Sequence, residues 1–370
     1  MLFPYRPVPD HAMEKMHQYV DFIFHQIWCL APEQDYGLEL FEAHPDLHEI
    51  IQGLEAKDRA GKLKSNGAGY QFLRNLNLVF SEFKKLTPSE IEDYQTRFAA
   101  NNNLEDLCQN LPDCQPSPYS SLPDRPALNA ALHKFYSTLY SSGFFGLKRV
   151  REKLGSDLKS YYRDFAGENK RGICPFCGLS PMRGKFTKSR EANDHFLPKS
   201  KYPFNSVNLL NLAPACSTCN SGYKGDTDPL FDKNNQRRKA INPFGSTSLD
   251  FSIHFDLQIK DWENMNPEQL NLTIDSDSHP EETDTWKNLY GVEERYQDFL
   301  CSSEEGVGCY YWYTQVLDEW KEDGRHPSDH LDTLRRQTAL NPIIEHKFLK
   351  LPFLESCQQA GLYPLSQPRK

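Results

Sequence analysis

The 370 residues carry a formal net charge of −9 and are 38% hydrophobic and 25% charged, enough apolar material for two or three folded domains. No run of about 18 apolar residues occurs, so no membrane-spanning helix is expected. The opening MLFPYRPVPDHAMEK lacks a basic segment running into an apolar one, so no secretory leader is expected and a soluble, cytoplasmic chain is the expectation.

Residues 9–166 read as helical. Met13, Met16, Val20, Ile23, Phe24 and Ile27 share one face at helical spacing, and Phe72, Leu73, Leu76, Phe80 and Phe83 form a second stripe. Thr87-Pro88-Ser89-Glu90 is a helix start, with Thr as cap, Pro at the first helical position and Glu three residues after the cap. A Pro- and Ser-rich loop over 110–126 follows. Helices resume on Leu128, Leu132, Phe135 and Leu139, then on Val150, Leu154, Leu158 and Phe165. These stripes describe a packed helical core, without a cofactor motif.

From Lys170 to about Gly245 the chain turns loop-rich, with too few large apolar residues to fold well alone, and a bound metal would supply what its core lacks. Beyond it, Leu249, Phe251, Ile253, Phe255, Leu257 and Ile259 alternate as in a half-buried strand, with residues 269–275 as hairpin partner. Helical spacing returns with Trp286, Leu289, Tyr296 and Phe299, then Tyr313, Val316, Leu317 and Trp320, and 340–354 supplies a last apolar stretch. The expected fold class is α+β, mainly α. It comprises a helical domain over 1–168, a loop-rich central domain over 169–245, and a β-hairpin with helices over 246–370.

Net charge is unevenly spread. Residues 170–240 hold 13 Lys and Arg against 5 Asp and Glu, leaving −17 for the remainder. A polyanion is attracted to that segment and repelled by the rest.

The same segment holds Cys174-Pro-Phe-Cys177 and Cys216-Ser-Thr-Cys219, four of the ten cysteines. One pair alone would suit a redox dithiol, but neither precedes a βαβ unit. Four thiolates in a closed tetrahedral shell suit a structural Zn²⁺ with no open position for catalysis. The 38 residues between the pairs exceed the usual zinc-ribbon spacing, so an insertion sits between them. Cys29, Cys108, Cys114, Cys301, Cys309 and Cys357 are scattered and read as ordinary thiols.

That insertion contains ANDHFLPKSKYP (192–203), then Asn208-Leu-Leu-Asn211-Leu212, the second cysteine pair, Asn220 and Lys224-Gly225-Asp226. This order, over about residues 172–228, resembles the HNH (ββα-metal) endonuclease family with a four-cysteine zinc site, of the kind found in bacterial defence loci. The resemblance implies a ββα-metal domain that hydrolyses DNA phosphodiester bonds, with RNA the less expected substrate. It implies that His195 is the general base and that Asp194 and Asn220 are ligands of a catalytic Mg²⁺ or Mn²⁺. Asn211 takes the central place, where an amide ties the loop to the strand. Asn208 competes for it, but the nine positions from Asn211 to Asn220 match the family register. Lys185, Lys188, Arg190, Lys199, Lys201 and Lys224, clustered with Arg237 and Arg238, are candidate phosphate contacts. An effector of anti-phage or anti-plasmid defence beside a sensor or ATPase partner is the implied setting, without a membrane. A non-catalytic zinc-binding adaptor for nucleic acid or protein is the alternative.

Overall fold

Helices form where an apolar stripe is joined to a start signal. In the structure, a computed structural model, residues 1–140, 143–246, 250–259, 266–301 and 308–363 are described. Among the described residues the chain is mainly helical with two two-stranded antiparallel sheets, and it divides into two compact units. The first comprises Pro4–Gly172 and Met182–Thr247. The second comprises Met1–Phe3, Ile173–Pro181 and Ser248–Lys370.

In the first unit the helices are α1 (Lys15–Phe22), α2 (Pro45–Arg59), α3 (Ala68–Phe83), α4 (Pro88–Asn102), α5 (Leu104–Cys108), α6 (Pro126–Ser137), α7 (Lys148–Leu154) and α8 (Leu158–Glu168). α1 runs on through a wider turn over Ile23–Trp28, so Met13 to Ile27 form one buried stripe as the spacing predicts. At α4 the Thr87 side chain accepts from Glu90 N–H and the Glu90 carboxylate accepts from Thr87 N–H at 2.9 Å, a closed capping box. Phe24 and Phe98 stack at 4.2 Å, and both meet Phe204, so an aromatic cluster pins the 200s loop to the helices.

Two short strands in this unit, β1 (Ala192–His195) and β2 (Leu212–Ala215), pair antiparallel with Asp194 opposite Ala213 and His195 opposite Leu212. A helical turn over Thr218–Lys224 follows, closed by a Gly225 N–H to Asn220 carbonyl bond of 2.8 Å. β1, β2 and this helical turn follow one another along the chain. Phe196 and Leu197, just past β1, are buried with Leu104, Leu107, Tyr202 and Leu230, which anchors the end of the strand on α5.

In the second unit β3 (Ser252–Leu257) pairs with β4 (Leu270–Asp275), Phe255 facing Leu272. β4 alternates buried and exposed residue by residue, and β3 does so on its Ile253, Phe255 and Leu257 face, as a half-buried hairpin must. Leu249, assigned to the same apolar face, lies outside the described residues. Helices α9 (Pro280–Tyr290), α10 (Val292–Cys301), α11 (Cys309–Asp323), α12 (Pro327–Leu340) and α13 (Lys347–Gln359) complete it, with Phe353 of α13 edge-on to Phe255. No helix among the described residues is long and apolar enough to cross a membrane.

Candidate active site and metal centre

Each C-x-x-C pair is shaped by its own backbone. In the first, Gly178 N–H bonds the Cys174 carbonyl at 2.7 Å and Cys174 N–H bonds the Ser180 carbonyl at 2.9 Å. Gly178 has φ +68°, and a Cβ there would lie 2.3 Å from Leu2 and 2.8 Å from Phe348, so both backbone and space demand glycine. Tyr296 donates to the Cys177 carbonyl at 2.8 Å and Trp286 to the Phe176 carbonyl at 2.7 Å, which fixes the turn on α9 and α10. In the second pair, Asn220 N–H bonds the Cys216 carbonyl at 2.9 Å.

The sulfurs of Cys174, Cys177, Cys216 and Cys219 lie within 4.8 Å of one another and all four residues are buried. Leu179 N–H points at Cys177 Sγ (3.5 Å) and Cys219 N–H at Cys216 Sγ (3.4 Å), which favours thiolates. Four gathered soft donors with N–H groups aimed at them fit a structural metal such as zinc. The six other cysteines lie outside this cluster.

Asp194 and His195 are the last two residues of β1. Asp194 is buried; its Oδ1 accepts from Lys224 Nζ at 3.0 Å, while its Oδ2 is buried without a hydrogen-bond partner among the described residues. Burial pushes the Asp194 carboxyl above the usual carboxylate range, although the Lys224 ammonium pulls the other way. Lys224 is 1% exposed and also donates to the His195 carbonyl at 2.9 Å. The expectation that Lys224 contacts phosphate is therefore corrected, because its ammonium is spent inside the fold on the strand that carries Asp194.

His195 Nε2 lies 3.0 Å from the Ser206 carbonyl. A carbonyl only accepts, so this bond requires the Nε2–H tautomer and leaves the lone pair on Nδ1. Burial first, then Lys199, lowers its pKa to about 4, so the ring is neutral near pH 7. The Tyr140 ring meets it edge-on at 5.0 Å, the Tyr140 hydroxyl accepts from Asn193 Nδ2 at 3.3 Å, and Lys199 Nζ lies 5.6 Å over the Tyr140 ring.

Asn211 is fully buried. Its Oδ1 accepts from Leu197 N–H at 2.7 Å, and its Nδ2 donates to the Leu197 carbonyl at 3.1 Å and to Asn205 Oδ1 at 3.2 Å. Asn208 instead donates to Asn102 Oδ1 at 3.0 Å and caps the turn at Leu210. Of the two candidates for the central place, Asn211 is thus the one bonded to the loop after β1. Asn220 sits half-buried on the helical turn that delivers Lys224.

Lys185, Lys188, Lys199 and Lys201 are exposed, and Arg190 is half-buried with one guanidinium nitrogen on the Glu191 carbonyl. Arg237 and Arg238 are corrected. Arg237 donates to the Leu230 and Leu107 carbonyls, and Arg238 to those of Pro229 and Asp228, so both staple loops rather than present charge to a polyanion. Sequence reasoning missed Tyr140, Asn205 and Ser206. Tyr140 comes from just past α6, 55 positions before His195, and nothing in the local pattern marks it.

No protein-family model and no solved structure matches the chain. It is 36% identical over 98 residues to Protein ea31 of Escherichia phage lambda, a stretch covering 26% of this chain and 28% of the phage protein. The chain therefore matches little more than a quarter of that relative's length.

Proposed function

We propose that the chain is a metal-dependent endonuclease of the HNH (ββα-metal) kind that hydrolyses DNA phosphodiester bonds. The observation that carries this reading is the Asn211 clamp. It fixes Leu197, two residues beyond His195 and just past β1, and the partner strand β2 leads into the helical turn bearing Asn220. Such a clamp keeps a general base in register with its substrate.

In this reading His195, neutral and with its lone pair on Nδ1, takes a proton from the attacking water. The Ser206 carbonyl holds the ring in that tautomer. Asp194 Oδ2, a buried oxygen without a partner among the described residues, and the Asn220 amide oxygen are the donors that would hold Mg²⁺ or Mn²⁺. Such a cation would offset charge on the scissile phosphate. Exposed Lys199 and Lys201, directly after the strand, supply phosphate contacts.

The Asp194–Lys224 ion pair is the observation that favours a second reading, a non-catalytic zinc module, because it already balances Asp194. Supercoiled plasmid and a structured RNA incubated with Mg²⁺ or Mn²⁺, with and without EDTA, decide between them. Metal-dependent relaxation or linearisation of plasmid that His195→Ala abolishes is the expected result. No cleavage under any condition overturns the nuclease reading, and cleavage of RNA alone reassigns the substrate. A place in bacterial defence, with a sensor or ATPase partner in the cytoplasm, extends the proposal and rests on the family resemblance.

A further inference from the structure

Phe186 is 91% exposed and stands in a tightly made turn. Thr187 N–H and Oγ1–H both bond the Gly184 carbonyl, at 3.1 and 2.8 Å, and Oγ1 also reaches the Ser189 carbonyl at 2.8 Å. The base of the turn is closed as well. Arg183 N–H bonds Glu191 Oε1 at 3.2 Å, its guanidinium bonds the Arg190 carbonyl at 2.9 Å, and Tyr162 of α8 donates to the Arg183 carbonyl at 2.7 Å. Two residues past Arg190, the chain enters β1 with Asp194 and His195.

The surroundings of the ring select its partner. Residues 183–190 (RGKFTKSR) hold four cations and no acid, and Lys185 Nζ lies 5.0 Å over the Phe186 ring. A lone apolar group amid fixed positive charge does not suit an apolar protein surface, which needs several apolar neighbours. It does suit a base whose phosphates lie against the lysines. Faces of paired bases are already stacked in a duplex, so the ring is useful only against an unpaired or extruded one.

We propose that the turn Gly184–Ser189 is a stacking platform for an unpaired base, with Phe186 as the stacking ring and Lys185 and Lys188 on the flanking phosphates. This rests on the nucleic-acid reading above and adds a preference for single-stranded or locally opened substrate beside the candidate active site.

The full chain carrying His195→Ala, to prevent cleavage, is titrated against a single-stranded oligonucleotide containing 2-aminopurine and against the same sequence as a duplex. Stacking quenches the probe. Adding Phe186→Ala is expected to weaken single-strand binding about ten-fold and remove the quench, while Phe186→Trp keeps both. Duplex binding is expected to change by less than about two-fold. Unchanged single-strand binding in Phe186→Ala, or equal loss on single strand and duplex, overturns the platform. If the unsubstituted chain binds neither form, this inference and the nuclease reading fall together. If it binds and cleaves, and Phe186→Ala alters neither, this inference alone fails.

Discussion

The side-chain amide of Asn211 satisfies both main-chain groups of Leu197, accepting from its N–H at 2.7 Å and donating to its carbonyl at 3.1 Å. All of these atoms are buried, so removing the amide strands them. Each unpaired buried group costs about 1–3 kcal/mol, so Asn211→Ala is expected to lower the unfolding free energy by about 2–4 kcal/mol. Asn211→Asp keeps the acceptor and loses the donor, and is expected to fall between. Urea unfolding of the three chains measures this; a loss below about 1 kcal/mol for Asn211→Ala would contradict the clamp.

Lys224 and Asp194 form an ion pair with side chains 0% and 4% exposed. Breaking such a pair leaves one buried charge, which costs about 3–5 kcal/mol. Lys224→Met is expected to destabilise by that order, whereas Asp194→Asn with Lys224→Met together is expected to cost clearly less than the sum of the single changes. A double-mutant cycle in urea tests this, and strict additivity would rule the coupling out.

Charge at the start of α4 gives a pH dependence whose sign can be worked out. The Thr87 main-chain N–H first, then Arg125, hold the Glu90 carboxyl down to about 2 from an ordinary 4.5. Between those values the unfolded chain binds the proton that the folded chain refuses. The contribution is therefore fully present above pH 4.5 and is lost as pH falls toward 2. Unfolding midpoints of Glu90→Gln measured between pH 5 and 3 should fall less steeply than those of the unsubstituted chain. Thr87→Ala, which deletes the cap itself, is expected to cost about 1 kcal/mol at neutral pH.

What is legible in the sequence has local causes. The Thr87 cap, the Phe251 to Leu257 alternation and the spacing of Met13 to Ile27 each fix structure through neighbours within a few residues, and each is found as expected. The two C-x-x-C pairs are legible because a knuckle is itself a local turn, and their four sulfurs do gather. The role of Lys224 is not legible, because an isolated lysine between tyrosine and glycine gives no sign of burial. Its partner Asp194 lies 30 positions away and meets it only once β1, β2 and the following turn are folded. Arg237 and Arg238 escape the sequence for the same reason, since the carbonyls that bind them are presented by loop geometry rather than by composition.

The cysteine cluster makes a prediction that needs no nuclease assay. The purified chain is expected to carry about one Zn²⁺, and Cys219→Ser to lose it along with much of its stability, because metal binding is coupled to folding at such sites. Atomic emission on the protein peak together with a melting curve tests both parts. A chain that contains no zinc yet melts as Cys219→Ser does would show that the thiols gather without a metal.

Tyr140 and His195 meet with ring centroids 5.0 Å apart at 74°, and burial by this ring helps keep the imidazole neutral. Removing the ring both admits water and frees the imidazole to tilt away from the Ser206 carbonyl. If His195 is the base of the proposed nuclease, Tyr140→Ala is expected to lower the plasmid cleavage rate by roughly ten-fold or more, since small misplacements of a reacting group are expensive. Tyr140→Phe keeps the packing and gives up only the bond from Asn193, so its rate should stay within about two-fold of the unsubstituted chain. Melting temperatures separate positioning from folding. If Tyr140→Ala lost activity only in proportion to lost folded protein, the ring would be a packing element and not an orienting one.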